Sequence, residues 1–396
     1  MISNRINSIE ESSTLAMAKK SRELISKGKN IINLSLGEPD FNTPNFIKNA
    51  AQKAIDNNYS KYTPVPGYQE LREVISKKFK RDNKLNYKSN QIVCSTGAKQ
   101  SLMQLFLSIL NPKDEIIICA PYWVSYYQMI KFAKAKPIII NTRIENDFKI
   151  QPDDLKKHLS KKTKAFLINS PCNPTGAVYN KKELKKLAEI LKRFPNTIVI
   201  SDEIYEHINF TNKKNESIGQ FLSTDKQVVT INGLSKGFAM TGWRLGYIGA
   251  PNNIANACIK IQGQFTSGTS SITQRAGISA LSRKPDFTKK MNNEFMKRRD
   301  MAVKILEKIP KIKFNIPEGA FYIFIDFSYY FNKKFNSVKI KNNDNFSMYL
   351  INNAEVATVS GSAFGNKECI RISIASSKKE IKEALIRIND ALKKLT

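Results

Sequence analysis

The chain has 396 residues and 41% hydrophobic composition, enough to bury a large core and to divide into two lobes. Its 64 Lys and Arg against 34 Asp and Glu give a formal charge of +30. The basic pairs Lys77-Lys78, Lys156-Lys157, Lys181-Lys182, Lys333-Lys334 and Lys393-Lys394 are spread along the whole length, on the expected polar faces of helices, without the clustering that docks nucleic acid or an acidic membrane.

Five scattered cysteines without CxxC spacing, and only two histidines, leave little material for a zinc site, a disulfide framework or a Ser-His-Asp triad, and no metal is implied. The opening run MISNRINSIEESS has no apolar stretch of the secretory kind, and no segment approaches the length that spans a bilayer, so a cytoplasmic location is expected. A helix is expected from about 14 to 27 and an extended run over 31–36, and residues 1–44 are expected to pack with the carboxy-terminal lobe. Over 45–288, short β-branched runs alternate with helical patterns, the signature of a mostly parallel sheet covered by helices. Strands are expected at 91–96, 115–119, 137–141, 164–169, 197–201, 227–232 and 245–249, with helices such as 98–110 and 181–194 between them. Over 289–396 a long charged helix, strands including Ala320–Asp326 and Cys369–Ile374, and a closing amphipathic helix predict a smaller α+β domain. The segment 329–345, rich in Tyr, Asn and Lys, reads as a surface loop. His158 falls in a charged helical stretch and is expected to be solvated, and His207 is expected to be structural.

In open parallel sheets, ligands bind beyond the carboxyl ends of the strands. Four predicted strands here run into Thr96-Gly97-Ala98-Lys99, Asn169-Ser-Pro-Cys-Asn173-Pro-Thr-Gly176, Asp202-Glu-Ile-Tyr205 and Gly233-Leu-Ser235-Lys236. A lysine shielded from water loses affinity for its proton and becomes a nucleophile towards an aldehyde, which suits Lys236. Gly97 and Ala98 let backbone N–H groups approach a phosphate at a helix start, and Arg244 can neutralise it. Asp202 suits a carboxylate that keeps a pyridinium nitrogen protonated; Asn173 and Tyr205 suit hydrogen bonds to a ring oxygen; Trp123 suits a stacking face. Singly, each has a plainer reading: a tight turn at Gly97, a helix cap at Asp202, a turn at Asn173, a core Trp123, and surface cations at Lys236 and Arg244. Their convergence on strand ends favours a cofactor pocket.

With these residues the chain resembles the pyridoxal-phosphate enzymes of fold type I, and within them the class I aminotransferases, especially the bacterial aspartate aminotransferase branch. The resemblance runs from about residue 5 to the end and rests on Ser35-Leu-Gly37-Glu-Pro-Asp-Phe41, Lys61-Tyr62, Gly97-Ala98-Lys99-Gln100, Pro121-Tyr-Trp123, Asn173-Pro-Thr-Gly176, Ser201-Asp-Glu-Ile-Tyr205, Ser235-Lys236 through Arg244, and Arg371. It implies pyridoxal 5'-phosphate held by Lys236, Asp202, Asn173, Tyr205 and Trp123, its phosphate by the backbone of Gly97 and Ala98 with Arg244, and Lys99 and Ser235 also at the cofactor. Tyr62 would reach the phosphate of a neighbouring subunit, so a homodimer with active sites at the interface is implied. Arg371 would clamp the substrate α-carboxylate, Gly37 would let the chain approach that substrate, and Trp123 and Asn173 would also line the substrate site. One departure is Gly233, where many relatives carry a phosphate-binding hydroxyl, and Ser235 beside the lysine is left without a settled role.

The implied reaction is a ping-pong transamination in which Lys236 is both the covalent anchor and the proton carrier. Lys99 falls where the aspartate-specific branch presents a lysine to the substrate's distal carboxylate, and Thr14 where that branch has a threonine near the substrate, which points to aspartate and 2-oxoglutarate. Prephenate or broad aromatic transamination stays open, as does a carbon–sulfur lyase sharing the cofactor residues. A regulator built on the same domain would need a DNA-binding module, for which the chain has no spare length.

Overall fold

The computed structural model of the chain describes residues 2–283 and 286–396. Seven runs pair into one sheet: Ile92–Ser95 (β1), Glu115–Ala120 (β2), Lys136–Asn141 (β3), Thr163–Asn169 (β4), Ile198–Asp202 (β5), Val228–Gly233 (β6) and Gly246–Gly249 (β7). Their order across the sheet is β1-β7-β6-β5-β4-β2-β3, and only β7 runs against its neighbours. The central strands are buried on both faces, which is why Ala165–Ile168 and Val228–Ile231 read as continuous apolar runs rather than alternating ones. Lys136–Asn141, at the edge, is exposed at both ends, at Lys136 and Asn141.

Helices cover the sheet where the sequence pattern places them, and local caps fix their starts. Asn180 accepts hydrogen bonds from the amides of Lys182 and Glu183 while Glu183 reaches back to the Asn180 amide, opening the helix Lys181–Leu191. Ser377 and Glu380 make the same reciprocal pair at the start of Lys378–Lys393, the closing helix. Six of the seven strands point their carboxyl ends to one side, so the segments that follow them converge along a single edge.

The remaining elements form a second, antiparallel sheet in the order Val359–Ser360, Cys369–Ser373, Tyr322–Asp326, Lys313–Phe314. Ile32–Asn33 pairs in parallel with Val356–Ala357, and Ile32 and Leu34 join the apolar core around this sheet. The residue pair 288/289, read above as a boundary, falls in the first turn of the helix Asp286–Leu306.

Two expectations are corrected. The segment 329–345 is not an open loop: it holds a small hairpin, Lys334–Phe335 with Val338–Lys339, and the start of the helix Asn343–Asn353. Tyr330 and Ile340 within it are buried because they pack into the same core as Phe327 and Phe346. Lys78, grouped above with surface lysines, is fully buried. On the helix Gln69–Lys78 it shares the inward face with Ile75 and Leu71, one and two turns back, and its charge is met by Glu206.

Candidate active site

The strand ends enclose a cavity of about 360 Å³ between the two sheets. Thr14, Gly37, Ala98, Lys99, Trp123, Asn173, Asp202, Tyr205, Ser235, Lys236, Arg244 and Arg371 all line it. Tyr62 does not: it lies on the loop between the helices Asn45–Asp56 and Gln69–Lys78 and is 97% exposed.

Asp202, the last residue of β5, is buried. Its Oδ2 accepts a hydrogen bond from the Tyr126 hydroxyl at 2.5 Å and its Oδ1 accepts one from the Ile204 amide at 3.2 Å. Burial raises its proton affinity to about 6, and these two hydrogen bonds oppose the rise. Lys236 follows β6 and donates from Nζ to the Gly37 carbonyl. Burial, with the cations of Arg371, Arg244 and Lys99 acting in the same sense and Glu38 opposing, lowers its amine to about 8. An ordinary surface lysine keeps its proton well beyond that range.

Arg371 is buried on Cys369–Ser373. Its Nη1 donates to Asn173 Oδ1 at 3.0 Å and its Nη2 to the Ser35 carbonyl at 2.5 Å, while its Nε is buried without a partner. The guanidinium lies 4.4 Å from the Tyr322 ring centre and 5.0 Å from that of Phe364. In the antiparallel register Tyr322 faces Ser373 and Phe324 faces Arg371, which puts Tyr322 and Arg371 on the same side of the sheet. Tyr322 also meets Tyr205 hydroxyl to hydroxyl at 2.9 Å.

At the start of the helix Ala98–Ile109, Gly97 takes φ +82°, and a Cβ there would lie 2.3 Å from Arg244 Nη2. Only glycine lets this backbone sit against the guanidinium. The Gly97 N–H donates to the Ser95 carbonyl at 2.7 Å. The first-turn amides of Ala98 and Lys99 are the ones left pointing from the helix start. Lys99 Nζ stands 5.1 Å from the Trp123 ring centre, and its amine is lowered by burial and by Arg244.

Gly37 has a different reason from the one expected. A Cβ there would lie 2.0 Å from the Tyr322 hydroxyl oxygen, so the missing side chain makes room for Tyr322. Tyr126 and Tyr322 are cavity residues that lie outside the motifs, and Glu38 and Asn169 are cavity residues that lie inside them without an assigned role. Tyr126 had a signal: it is three residues beyond Trp123 on the helix Val124–Phe132, where positions i and i+3 share a face. His207 is half-buried, and His158 is exposed with Nδ1 2.8 Å from the Asp154 carbonyl.

Residues 29–388 match the family described as aminotransferase class I and II. The chain belongs to that family. It is 45% identical over 393 residues to the probable aspartate/prephenate aminotransferase of Rickettsia typhi, covering 99% of this chain and 98% of the relative. It is 44% identical to the bifunctional aspartate aminotransferase and glutamate/aspartate-prephenate aminotransferase of Petunia hybrida, covering 99% and 82%. Among solved structures it superposes on the Rhizobium meliloti aspartate aminotransferase with TM-score 0.96 at 38% identity, covering 100% of both chains. On that of Thermus thermophilus with maleate, the TM-score is 0.93 at 34% identity, covering 99% of both. This aminotransferase therefore has the α/β fold of fold type I, with its mostly parallel seven-stranded sheet. Among the described residues no cluster of His, Cys, Asp or Glu is arranged to hold a metal ion, and no helix is long and apolar enough to cross a membrane.

Proposed function

We propose that this aminotransferase uses pyridoxal 5'-phosphate to move the amino group of L-aspartate to 2-oxoglutarate, working as a homodimer. The observation that carries the reading is that an amine of lowered proton affinity, Lys236, shares one cavity with a buried carboxylate, Asp202, and a buried guanidinium, Arg371. The substrate comes from the relatives, which are named for aspartate, and from the Thermus thermophilus neighbour, which was solved with maleate, a dicarboxylate.

The residues fit the cofactor. A guanidinium lies against a glycine whose Cβ would block it, beside free helix-start amides, which makes a cradle for a phosphate at Arg244, Ala98 and Lys99, with Ser235 alongside. Asp202, ionised above about pH 6, is suited to hold the ring nitrogen's proton; Asn173 and Tyr205 are suited to the ring oxygen, and Trp123 to the ring face. Tyr62, exposed on its own chain, is assigned to the phosphate held by a second copy. When bound, pyridoxal phosphate supplies an aldehyde carbon for amines and a ring that takes up the electron pair released at the substrate α-carbon.

Arg371 holds the substrate α-carboxylate through its two-pronged guanidinium and fixes the direction in which the α-hydrogen points. Lys236, uncharged above about pH 8 when free, would take that proton at Nζ and hold it for return. Tyr322 and Phe364 exclude water from around Arg371, which strengthens the charge pairing. Lys99, in the cavity lining, is assigned to the distal carboxylate of the substrate, and Thr14, also in the lining, to a place near the substrate. Prephenate is a second oxo-acid acceptor on this reading, supported by its place in the names of the Rickettsia and Petunia relatives.

The test is the visible absorption of the purified protein. The cofactor's band should fade on addition of aspartate and return with 2-oxoglutarate, and Lys236→Ala should abolish both changes. A protein without a cofactor band, or a Lys236→Ala variant that behaves as the wild type, would refute the reading.

A further inference from the structure

Behind the cavity, the segment that carries Asp202 and Tyr205 has a second polar face. Asp202 and Tyr205 line the cavity, while Glu203 and Glu206 reach away from it into a buried cluster. The helix Gln69–Lys78 runs into a π-helical turn, Phe79–Asn83, that brings Asn83 to this cluster. Lys78 Nζ donates to Asn83 Oδ1 at 2.7 Å and to Glu206 Oε1. Asn83 Nδ2 donates to Glu206 Oε2 at 2.7 Å and to Glu203 Oε2 at 2.9 Å. Ser201 donates to Glu203 Oε1 at 2.8 Å, and Ser217 donates to the same oxygen. Both carboxylates are thereby held on two sides, and Glu206 pairs with the buried ammonium.

His207 joins the cluster to the lysine segment. His207 Nε2 stands 3.3 Å from Glu206 Oε1. The Cδ2–Cγ edge of its ring meets the residues that follow Lys236: a Cβ on Gly237 would lie 2.6 Å from His207 Cδ2 and 3.0 Å from its Cβ. The Phe238 ring packs edge-on against the imidazole, with centres 5.4 Å apart and planes at 85°. Gly237 has no side chain of its own to lock the backbone, so the packing at that position comes from His207. Buried interiors are close-packed, and removal of a ring leaves space into which the segment can shift. Lys236 Nζ then moves with its backbone, and a displacement of about 1 Å at a reacting group can cost about a hundredfold in rate.

We propose that His207 is a positioning residue for Lys236, acting as the wall against which Lys236–Phe238 is held while Glu206, fixed by Lys78 and Asn83, sets the imidazole in place. The inference rests on the reading of Lys236 as the amine that engages the cofactor. Burial lowers the proton affinity of His207, which favours a neutral ring beside the Glu206 carboxylate.

The test compares wild type with His207→Ala and His207→Gln, the latter keeping a donor near the position of Nε2. In cofactor-free protein, amide hydrogen exchange over 235–240 should be about tenfold faster in His207→Ala and partly restored in His207→Gln. In loaded protein, kcat with aspartate should fall about tenfold with KM nearly unchanged, and the pH midpoint of the cofactor's visible band should move. If His207→Ala lowers the melting temperature but leaves exchange over 235–240, the band midpoint and kcat at wild-type values, His207 only fills the core and the proposal is wrong. Should His207→Ala not fold, the same three measurements on His207→Gln decide it, and wild-type values in all three overturn it. A wild type without a cofactor band defeats the reading of Lys236 instead, and the exchange measurement still decides whether His207 holds the segment.

Discussion

Replacing Tyr126 by Phe deletes one oxygen from the site and leaves the ring in place beside Trp123. That oxygen donates to Asp202 Oδ2 at 2.5 Å, and both residues are buried, with Tyr126 1% and Asp202 4% exposed. Burial alone pushes the carboxyl towards its protonated form; the Tyr126 bond is the strongest influence that opposes it and holds the group at about 6. A hydrogen bond to a charged acceptor contributes about 1.5–3 kcal/mol, so its loss favours protonation of Asp202 by about ten- to a hundredfold. The sign follows from the role: only the carboxylate can stabilise a protonated ring nitrogen, so raising its proton affinity moves the acid side of the activity profile to higher pH. The assay is the rate of the aspartate half-reaction, followed through the cofactor's visible band in a pH series. Tyr126→Phe should be strongly impaired near neutrality and should recover towards the wild-type rate in alkali. A profile that is lowered uniformly, or that superimposes on the wild type, would show that the hydroxyl does not control the ionisation of Asp202.

Asp202→Asn should trade activity for stability. Folding raises the proton affinity of Asp202 to about 6, so the folded state holds its proton more tightly than the unfolded one, and stability falls as pH rises through the window from about 4 to 6. The neutral amide escapes that cost: cofactor-free Asp202→Asn should unfold at about 1–3 kcal/mol higher denaturant-derived stability above pH 6, with the difference fading in acid. Lys99→Ala should lower kcat/KM for aspartate about ten- to a hundredfold more than for alanine or phenylalanine; equal losses would remove Lys99 from distal-carboxylate recognition. Gly37→Ala places a Cβ 2.0 Å from the Tyr322 hydroxyl, which is also paired with Tyr205. The overpacking should cost about 1–3 kcal/mol in thermal unfolding and raise KM for every amino acid tested, because Tyr322 packs on Arg371.

The parallel sheet was legible because its strands are continuous apolar runs ending in Gly, Asn, Asp and Ser, and because the rule that ligands gather at carboxyl ends needs only chain order. Asp202, Asn173 and Lys236 were found that way. Tyr322 was not, since it reaches the site through its pairing with Ser373 on a strand 51 positions later, and no local pattern reports that register. The adjacent Tyr126 and Tyr127 look alike in sequence, and only the phase of their helix decides that Tyr126 meets Asp202 while Tyr127 stacks on Tyr122. Lys78 was misread for the opposite reason: a lysine in a basic pair reads as solvent-facing unless its distant partners, Glu206 and Asn83, are known. Gly37 was recognised as necessary, but its steric cause depends on a tyrosine almost three hundred residues away.

Arg371 donates to Asn173, a residue assigned to the cofactor's ring oxygen, while itself assigned to the substrate. The two binding events therefore share a link. A carboxylate that draws on the guanidinium changes what Asn173 has left to offer the ring, and by thermodynamic reciprocity a change at the ring alters affinity for the carboxylate by the same factor. Simple carboxylic acids, with no amine to react, should accordingly shift the colour of the bound cofactor, and the two forms of the cofactor should differ in how tightly the enzyme holds such acids. The enzyme would then sense which half of its cycle it is in through a single amide side chain.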